Sequence, residues 1–299
     1  MRVLITGGAG FVGRHLLALA ADRGAKVVAP DREELDLLDA GATRAALADA
    51  APDAVFHLAA LASVAESWRE PGETFDNNTH ATLNLLEAVR TEAPEAVVLV
   101  AGSGEEYGPV PEERLPVTES EPLRPQNPYA VSKAAADLVA GFYADAHGLR
   151  VVRTRAFNHA GPGQSDAYVI AAFAKQIADA ERAGQAELLL ETGNLEPRRD
   201  VTDVRDVVRA YWLAVERGEP GIFNVCSGVS VPVADILARL AALTELRVEQ
   251  RTDPSRLRKH EVMDIRGSHE RLTAATGWRP EIPIERTLAD TLDWWRDRG

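Results

Sequence analysis

Short apolar runs that stop at glycine or alanine alternate, through the first half of the chain, with stretches in which apolar residues return every third or fourth position. Arg2-Val3-Leu4-Ile5-Thr6, Ala25-Lys26-Val27-Val28-Ala29, Asp53-Ala54-Val55-Phe56-His57-Leu58-Ala59-Ala60 and Ala96-Val97-Val98-Leu99-Val100 read as strands. The first suits a strand buried on both faces of a parallel sheet, and the third reads as buried too. Leu16-Leu17 with Leu19-Ala20, an alanine-rich segment after Asp36-Leu37-Leu38-Asp39, and Leu83-Asn84-Leu85-Leu86-Glu87-Ala88-Val89 predict the helices between them. The alternation predicts an α/β fold with a doubly wound parallel sheet. The C-terminal part reads differently: a helical stretch at Ile236-Leu237 and Leu240-Ala241, a strand-like Leu246-Arg247-Val248-Glu249, and an amphipathic helix from Leu288 to Trp295 in which Trp294 and Trp295 are packing residues. No repeat or long linker intervenes, so this part is expected to form a smaller, discontinuous C-terminal cap with a substrate cleft between cap and sheet.

Composition narrows the function classes. With 299 residues and 45% hydrophobic content the chain can bury a large core. No apolar run reaches 18 residues, and the chain enters its first strand after one arginine, so neither a membrane span nor a signal peptide is expected and the reading is cytoplasmic. A net charge of −13 argues against a nucleic-acid surface, and any phosphate-bearing ligand has to be held by local donors. The single cysteine, Cys226, excludes an internal disulfide and a cysteine-based metal cage, and is expected to be a buried small hydrophobe.

The first strand runs directly into Gly7-Gly8-Ala9-Gly10-Phe11-Val12-Gly13 and then a helix, the order a dinucleotide-binding Rossmann turn requires. Gly7 permits the tight turn, Gly10 lets backbone approach a pyrophosphate at the helix N-terminus, and Gly13 allows helix and strand to pack closely. The second strand ends at Asp31-Arg32; an acid there accepts from an adenosine ribose, whereas an arginine meets a 2′-phosphate, so NAD(H) and NADP(H) both remain open. The small residues that follow His57, in Leu58-Ala59-Ala60, let a cofactor lie against backbone, and His57 itself reads as structural.

Candidate chemistry gathers at Tyr129-Ala130-Val131-Ser132-Lys133. Tyrosine and lysine four apart share a helix face, and an ammonium beside a phenol of pKa ~10 is expected to lower it. Ser103, in Ala101-Gly102-Ser103-Gly104-Glu105-Glu106-Tyr107-Gly108, follows a buried strand, at the sheet end where ligands bind. A loop through Pro109, Pro111, Pro116, Pro122, Pro125 and Pro128 leads to the tyrosine helix and is expected to cover the site.

Together, Gly7, Gly10, Gly13, Ser103, Tyr129 and Lys133 resemble the extended short-chain dehydrogenase/reductase family, whose members act mostly on nucleotide sugars. The resemblance implies a catalytic Ser103, Tyr129 and Lys133, the last two also touching the cofactor. It implies adenine contacts at Asp36 and Leu37, and a match of Asn78 and Thr82 to an Asn-x-x-Gly-Thr pattern in which Ala81 replaces glycine. It further implies a dinucleotide-binding domain of residues 1–161 and 199–229 and a nucleotide-sugar-binding domain of residues 162–198 and 230–299. Within the family, the segments 155–162, 173–177, 193–196, 199–206 and 224–228 are similar to those of GDP-sugar 4-keto reductases, with GDP-mannose 4,6-dehydratases as near relatives. That implies substrate contacts at Asn158, Lys175 and Asn194, a diphosphate grip by Arg199 and Arg258, and a ribose contact at Glu261, although Arg258-Lys259-His260-Glu261-Val262 departs from the usual Arg-Pro-x-Glu-Val. A homodimer is also implied.

The reading that follows is reduction of the C4 ketone of a GDP-4-keto-6-deoxy-hexose, giving GDP-rhamnose or its C4 epimer. Tyr129 donates the proton, Ser103 hydrogen-bonds the oxygen and Lys133 tunes Tyr129. Three alternatives stand beside it. A 4,6-dehydratase would use Glu105 as an extra acid/base, although Gly104 lacks the polar side chain dehydratases carry there. A nucleotide-sugar 4-epimerase and a non-catalytic dinucleotide-binding protein are the others.

Overall fold

In the computed structural model, which describes residues 1–256 and 262–298, the first half alternates as its pattern predicts. The elements are β1 (Arg2–Thr6), α1 (Phe11–Asp22), β2 (Lys26–Val28), α2 (Ala40–Ala50), β3 (Ala54–His57), α3 (Val64–Ser67), α4 (Pro71–Phe75), α5 (Ala81–Glu92), β4 (Val97–Ser103), α6 (Pro128–His147) and β5 (Arg150–Ala156). Then follow β6 (Asn158–Ala160), α7 (Val169–Arg182), β7 (Glu187–Thr192), β8 (Arg198–Asp203), α8 (Val204–Arg217), β9 (Gly221–Val225) and β10 (Ser230–Pro232). The remainder is α9 (Val233–Ala241), β11 (Arg247–Thr252), β12 (Asp264–Ile265), α10 (Glu270–Thr276) and α11 (Ile284–Arg296).

Six parallel strands lie in the order β2-β1-β3-β4-β5-β9. Because strand side chains alternate, Val3, Ile5, Phe56 and Leu99 enter one core with Leu16, Trp212 and Trp278, while Leu4, Val55 and Val98 enter a second with Leu47, Leu85 and Tyr143. Each such side chain contributes about 1.5–3 kcal/mol by leaving water. The continuous apolar runs are therefore two alternating sets read as one. β2 forms one edge of the sheet, and Lys26 and Val28 are exposed.

A third core joins Ala160, Phe173, Ile177, Leu190, Leu237 and Leu240 to Leu288 and Leu292 of α11. The strand-like segment near Val248 becomes β11, which pairs in parallel with β7. Trp278, fully buried, belongs instead to the first core and donates its indole N–H to the Asp206 carbonyl at 3.0 Å. The proline-rich loop is stitched down: Val117 N–H donates to Arg266 O at 2.8 Å, Ser268 N–H donates to Val117 O at 2.8 Å, and Val117 packs with Tyr107, Phe157, Cys226 and Ile265.

Candidate active site

Strand order reverses between β1, which pairs with β2 on one side and β3 on the other, and the crevice so created is a cavity of about 290 Å³ at the carboxyl ends of these strands. Gly7, Gly10, Asp31, Arg32, Asp36, Leu37, Leu58, Ala59 and Ala60 all line it, with Thr6, Leu61 and Asn77. A Cβ on Gly7, which has φ +74°, would lie 2.7 Å from the Ala59 nitrogen; one on Gly13 would lie 2.2 Å from the Gly7 carbonyl oxygen. Gly10 caps α1 with no side chain of its own, leaving the first backbone N–H groups of the helix to an anion. These features fit a nicotinamide dinucleotide, the phosphates at α1 and the adenosine toward β2.

Phe11, Val12 and Gly13 stand behind this wall. Phe11 stacks on His159 with ring centroids 6.0 Å apart, Val12 packs into the first core, and Gly13 is buried under the turn. Asn78 is also one layer back: buried, it accepts from Leu61 N–H at 2.8 Å and donates to Leu61 O at 3.0 Å and Ser132 Oγ at 2.9 Å, so it shapes the cavity by holding Leu61. His57 is structural as read, its ring bonded to Thr6 and Thr82 hydroxyls at 2.8 and 2.9 Å, with burial, then the nearby Lys133 charge, pulling it down to about 3.

The catalytic candidates come from two neighbouring elements, the end of β4 and the start of α6. α6 begins at Asn127, whose side chain accepts from Ala130 N–H at 2.8 Å, and Pro128 opens its first turn, so Tyr129 and Lys133 sit on successive turns of one face. Ser103 ends β4 and caps the tight turn after it: its Oγ accepts from Glu105 N–H at 3.2 Å, leaving its own proton to donate outward. Ser103 hydrogen-bonds the Tyr129 side chain and draws its pKa down, but burial is the larger effect and the phenol lies above its ordinary value. This corrects the expectation that Lys133 makes Tyr129 acidic. Lys133 is itself buried and has its pKa lowered by that burial, with Glu106 opposing the fall. Glu105 is exposed, and its carboxylate accepts from Asn127 Nδ2 at 3.2 Å.

Residues expected to hold a sugar nucleotide are more dispersed. Asn158 is exposed on β6 beside β8. Lys175, on α7, has its ammonium 2.9 Å from Asp179 and 3.9 Å from Asp166. Asn194 Oδ1 accepts from Glu196 N–H at 3.0 Å, and Arg199 donates to the Arg198 and Val262 carbonyls at 2.9 and 2.8 Å. Arg258 and Glu261 lie outside the described residues. Sequence reasoning missed Glu106, Asp137 and Arg155, all buried behind Ser103 and Lys133, and Tyr168, a second phenol near Tyr129. Asp137 carried a signal, lying four residues past Lys133 on the same helical face; Arg155 carried none, because its strand reads Arg-Val-Val-Arg-Thr-Arg-Ala and one arginine in it does not stand out.

The model of the NAD dependent epimerase/dehydratase family matches residues 3–226. The chain is 41% identical to GDP-6-deoxy-D-mannose reductase of Pseudomonas aeruginosa, over 99% of this chain and 98% of that one. It is 30% identical to GDP-mannose 4,6 dehydratase 2 of Arabidopsis thaliana, over 86% of this chain and 69% of that one. The structure of RMD from Pseudomonas aeruginosa complexed with NADPH superposes with a TM-score of 0.91 at 38% identity, covering 100% of both chains.

Proposed function

We propose that this chain, which belongs to the NAD dependent epimerase/dehydratase family, is a nicotinamide-dependent reductase that converts the C4 ketone of a GDP-4-keto-6-deoxy-hexose into an alcohol, giving GDP-rhamnose or its C4 epimer. The observation that carries this reading is the hydrogen bond between Ser103 and Tyr129, with Lys133 one turn further along α6, in a chain that also builds a dinucleotide cavity and aligns end to end with a GDP-6-deoxy-D-mannose reductase. When bound, the reduced nicotinamide supplies a hydride to C4. Ser103 donates its hydroxyl proton in a hydrogen bond to the ketone oxygen, and Tyr129 transfers the phenolic proton to that oxygen as charge develops. Burial suits this role, because a phenol held above its ordinary pKa waits in the protonated, donating form. Lys133, one turn further along α6, places a cation on the same helix face as the phenol.

A 4,6-dehydratase remains the second reading, because Glu105 lies close enough to raise the Tyr129 pKa. Position 104 favours the reductase. Gly104 carries no polar side chain for the elimination, and a Cβ there would lie 3.1 Å from the Phe157 ring, which would have to shift to admit one.

The finer assignments belong to the same proposal. The favoured cofactor is NADPH, because Asp31 spends one carboxylate oxygen on the N–H groups of Glu33 and Glu34 (2.8 and 3.0 Å) while Arg32 stands at the cavity wall with only a 3.9 Å contact to Glu73. Asn158, Lys175, Asn194 and Arg199 serve the GDP-sugar, residues 1–161 with 199–229 hold the cofactor, and residues 162–198 with 230–299 hold the sugar nucleotide. The enzyme works in the cytoplasm as a homodimer, a state supported by Val131, Leu138 and Phe142, which expose 44, 64 and 58% of their surface along one face of α6. Among the described residues no helix is long and apolar enough to cross a membrane.

The test follows NADPH absorbance with GDP-mannose, alone and with a separate 4,6-dehydratase. Oxidation only in the coupled reaction is expected; turnover of GDP-mannose without net NADPH consumption would establish the dehydratase instead. Tyr129→Phe is expected to lose roughly 10²–10⁴-fold in turnover while binding NADPH normally, and near-normal turnover would overturn the proton-donor assignment.

A further inference from the structure

Behind the catalytic residues lies a set of buried charges that the reduction itself does not use. Glu106 is fully buried; its Oε1 accepts the Ser103 backbone N–H at 2.6 Å and its Oε2 lies 3.5 Å from Arg155 Nε. Arg155 pairs across the sheet with Gly102, the residue before Ser103. Its other end donates to Asp137 Oδ2 at 2.7 Å, and to the Tyr107 hydroxyl at 3.1 Å. Tyr129, Lys133 and Asp137 are spaced i, i+4, i+8 along α6, so Arg155 joins the serine-bearing turn to the tyrosine-bearing helix. The fit is tight: a Cβ on Gly102 would lie 2.6 Å from Glu106 Oε1.

Purely as cement this would be a poor choice. Buried ion pairs gain little over apolar side chains of the same size, and Glu106 Oε2, Asp137 Oδ1 and Arg155 Nε each lack a hydrogen-bond partner among the described residues. What apolar packing cannot supply is a charge at a fixed place. We propose that Glu106 is a positioning residue of this active site, with two tasks: bracketed by Arg155 and Asp137 it fixes the backbone of Ser103 opposite Tyr129, and in its ionised form it supplies a counter-charge that favours the ammonium of Lys133.

The surrounding charges agree with this assignment. Lys133, on α6, faces Glu106 from the turn after β4 and His57 from β3; His57, whose pKa is pulled down to about 3, is neutral there and adds no charge. Glu106 faces Lys133 and Asp137 from α6 and Arg155 from β5. Arg155 also faces Asp137 and Tyr107, the latter a neutral phenol held above its ordinary value chiefly by burial, with Glu119 nearby. Arg153 flanks Asp137 from its other side at 3.5 Å. Three cations thus surround Glu106 and Asp137; burial, then the Asp137 charge, pushes the Glu106 carboxyl up to about 8 against the Ser103 N–H, Arg155 and Lys133, and in its ionised form Glu106 opposes the loss of charge on Lys133.

The test needs no knowledge of the substrate for its main arm. The chain has four lysines, Lys26, Lys133, Lys175 and Lys259, so lysine labelled with ¹³C at Cε gives few NMR signals, and that of Lys133 is assigned from Lys133→Met. In Glu106→Gln, whose amide oxygen can still accept from Ser103, the Lys133 titration midpoint is expected to fall by about one pH unit or more. An unchanged midpoint would overturn the charge assignment. Glu106→Asp keeps the charge on a stem too short for Ser103, so the midpoint should hold while kcat falls roughly ten-fold with sugar KM little changed. A kcat equal to wild type in Glu106→Asp, or a Lys133 midpoint that falls in both variants alike, would equally overturn the proposal. The kcat arm rests on the reductase reading and the NMR arm does not, so failure of one is distinguishable from failure of the other.

Discussion

At the scale of single residues, two side chains carry consequences that can be measured. Arg32 stands at the cavity wall in a largely exposed position, so the role proposed for it lies in specificity rather than in stability. Arg32→Ala is expected to weaken NADPH roughly ten-fold and leave NADH binding unchanged, by fluorescence titration of each. An equal effect on both cofactors would show that Arg32 does not read the 2′-phosphate. His57 carries a pH signature. Its folded pKa lies near 3 and its ordinary value near 6.5, so between those limits the unfolded chain holds a proton that the folded chain refuses. Stability from this group is therefore fully present above pH ~6.5 and lost as pH falls toward 3. His57→Gln, read by urea unfolding at pH 7 and pH 4.5, should lose less stability between the two than the wild type does. Both residues were visible in the sequence, His57 as structural and Arg32 as an undecided neighbour of Asp31. The buried charges around Arg155 were not, because Glu106, Asp137 and Arg155 are distant in the chain and meet only once β4, β5 and α6 have packed.

At the scale of elements, periodicity carried most of the information. Runs such as Val3-Leu4-Ile5 declare a strand because every position is apolar, and their two faces separate into two cores once helices cover the sheet. β2 was legible as a strand but not as an edge, since strand order is set by which neighbours pair and not by local pattern. The proline-rich loop shows the same limit: its composition announces a loop, while its pairing with residues 266–268 depends on partners far along the chain. The turn between β1 and α1 is the element whose geometry permits least change. Gly13→Ala would press a methyl group against the Gly7 and Gly8 carbonyl oxygens, at 2.2 and 2.6 Å, and should cost about 1–3 kcal/mol in overpacking. Thermal denaturation with NADPH titration checks this: melting temperature and affinity should fall together, and an unchanged affinity would mean that the turn does not shape the phosphate site.

At the scale of the whole molecule, the proposed dimer predicts that Phe142→Asp, on the outer face of α6, yields a monomer by light scattering with its fold intact. A dimer that survives this substitution would move the interface elsewhere. The division into a cofactor part and a sugar part is less clean in the packing than in the linear pattern, because the segment from α10 to α11 serves both. Trp278 fills the core beneath the Rossmann sheet, and Leu288 and Leu292, a few residues later, fill the core between α7 and α9. Folding during synthesis ordinarily runs from the N-terminus, one unit at a time. Here a ribosome that has released residues 1–226 has produced every strand of the main sheet, yet that sheet still lacks the indole that packs beneath it. The two halves are therefore committed late and almost together, and a nascent chain paused before residue 278 would present open apolar surface to chaperones in both.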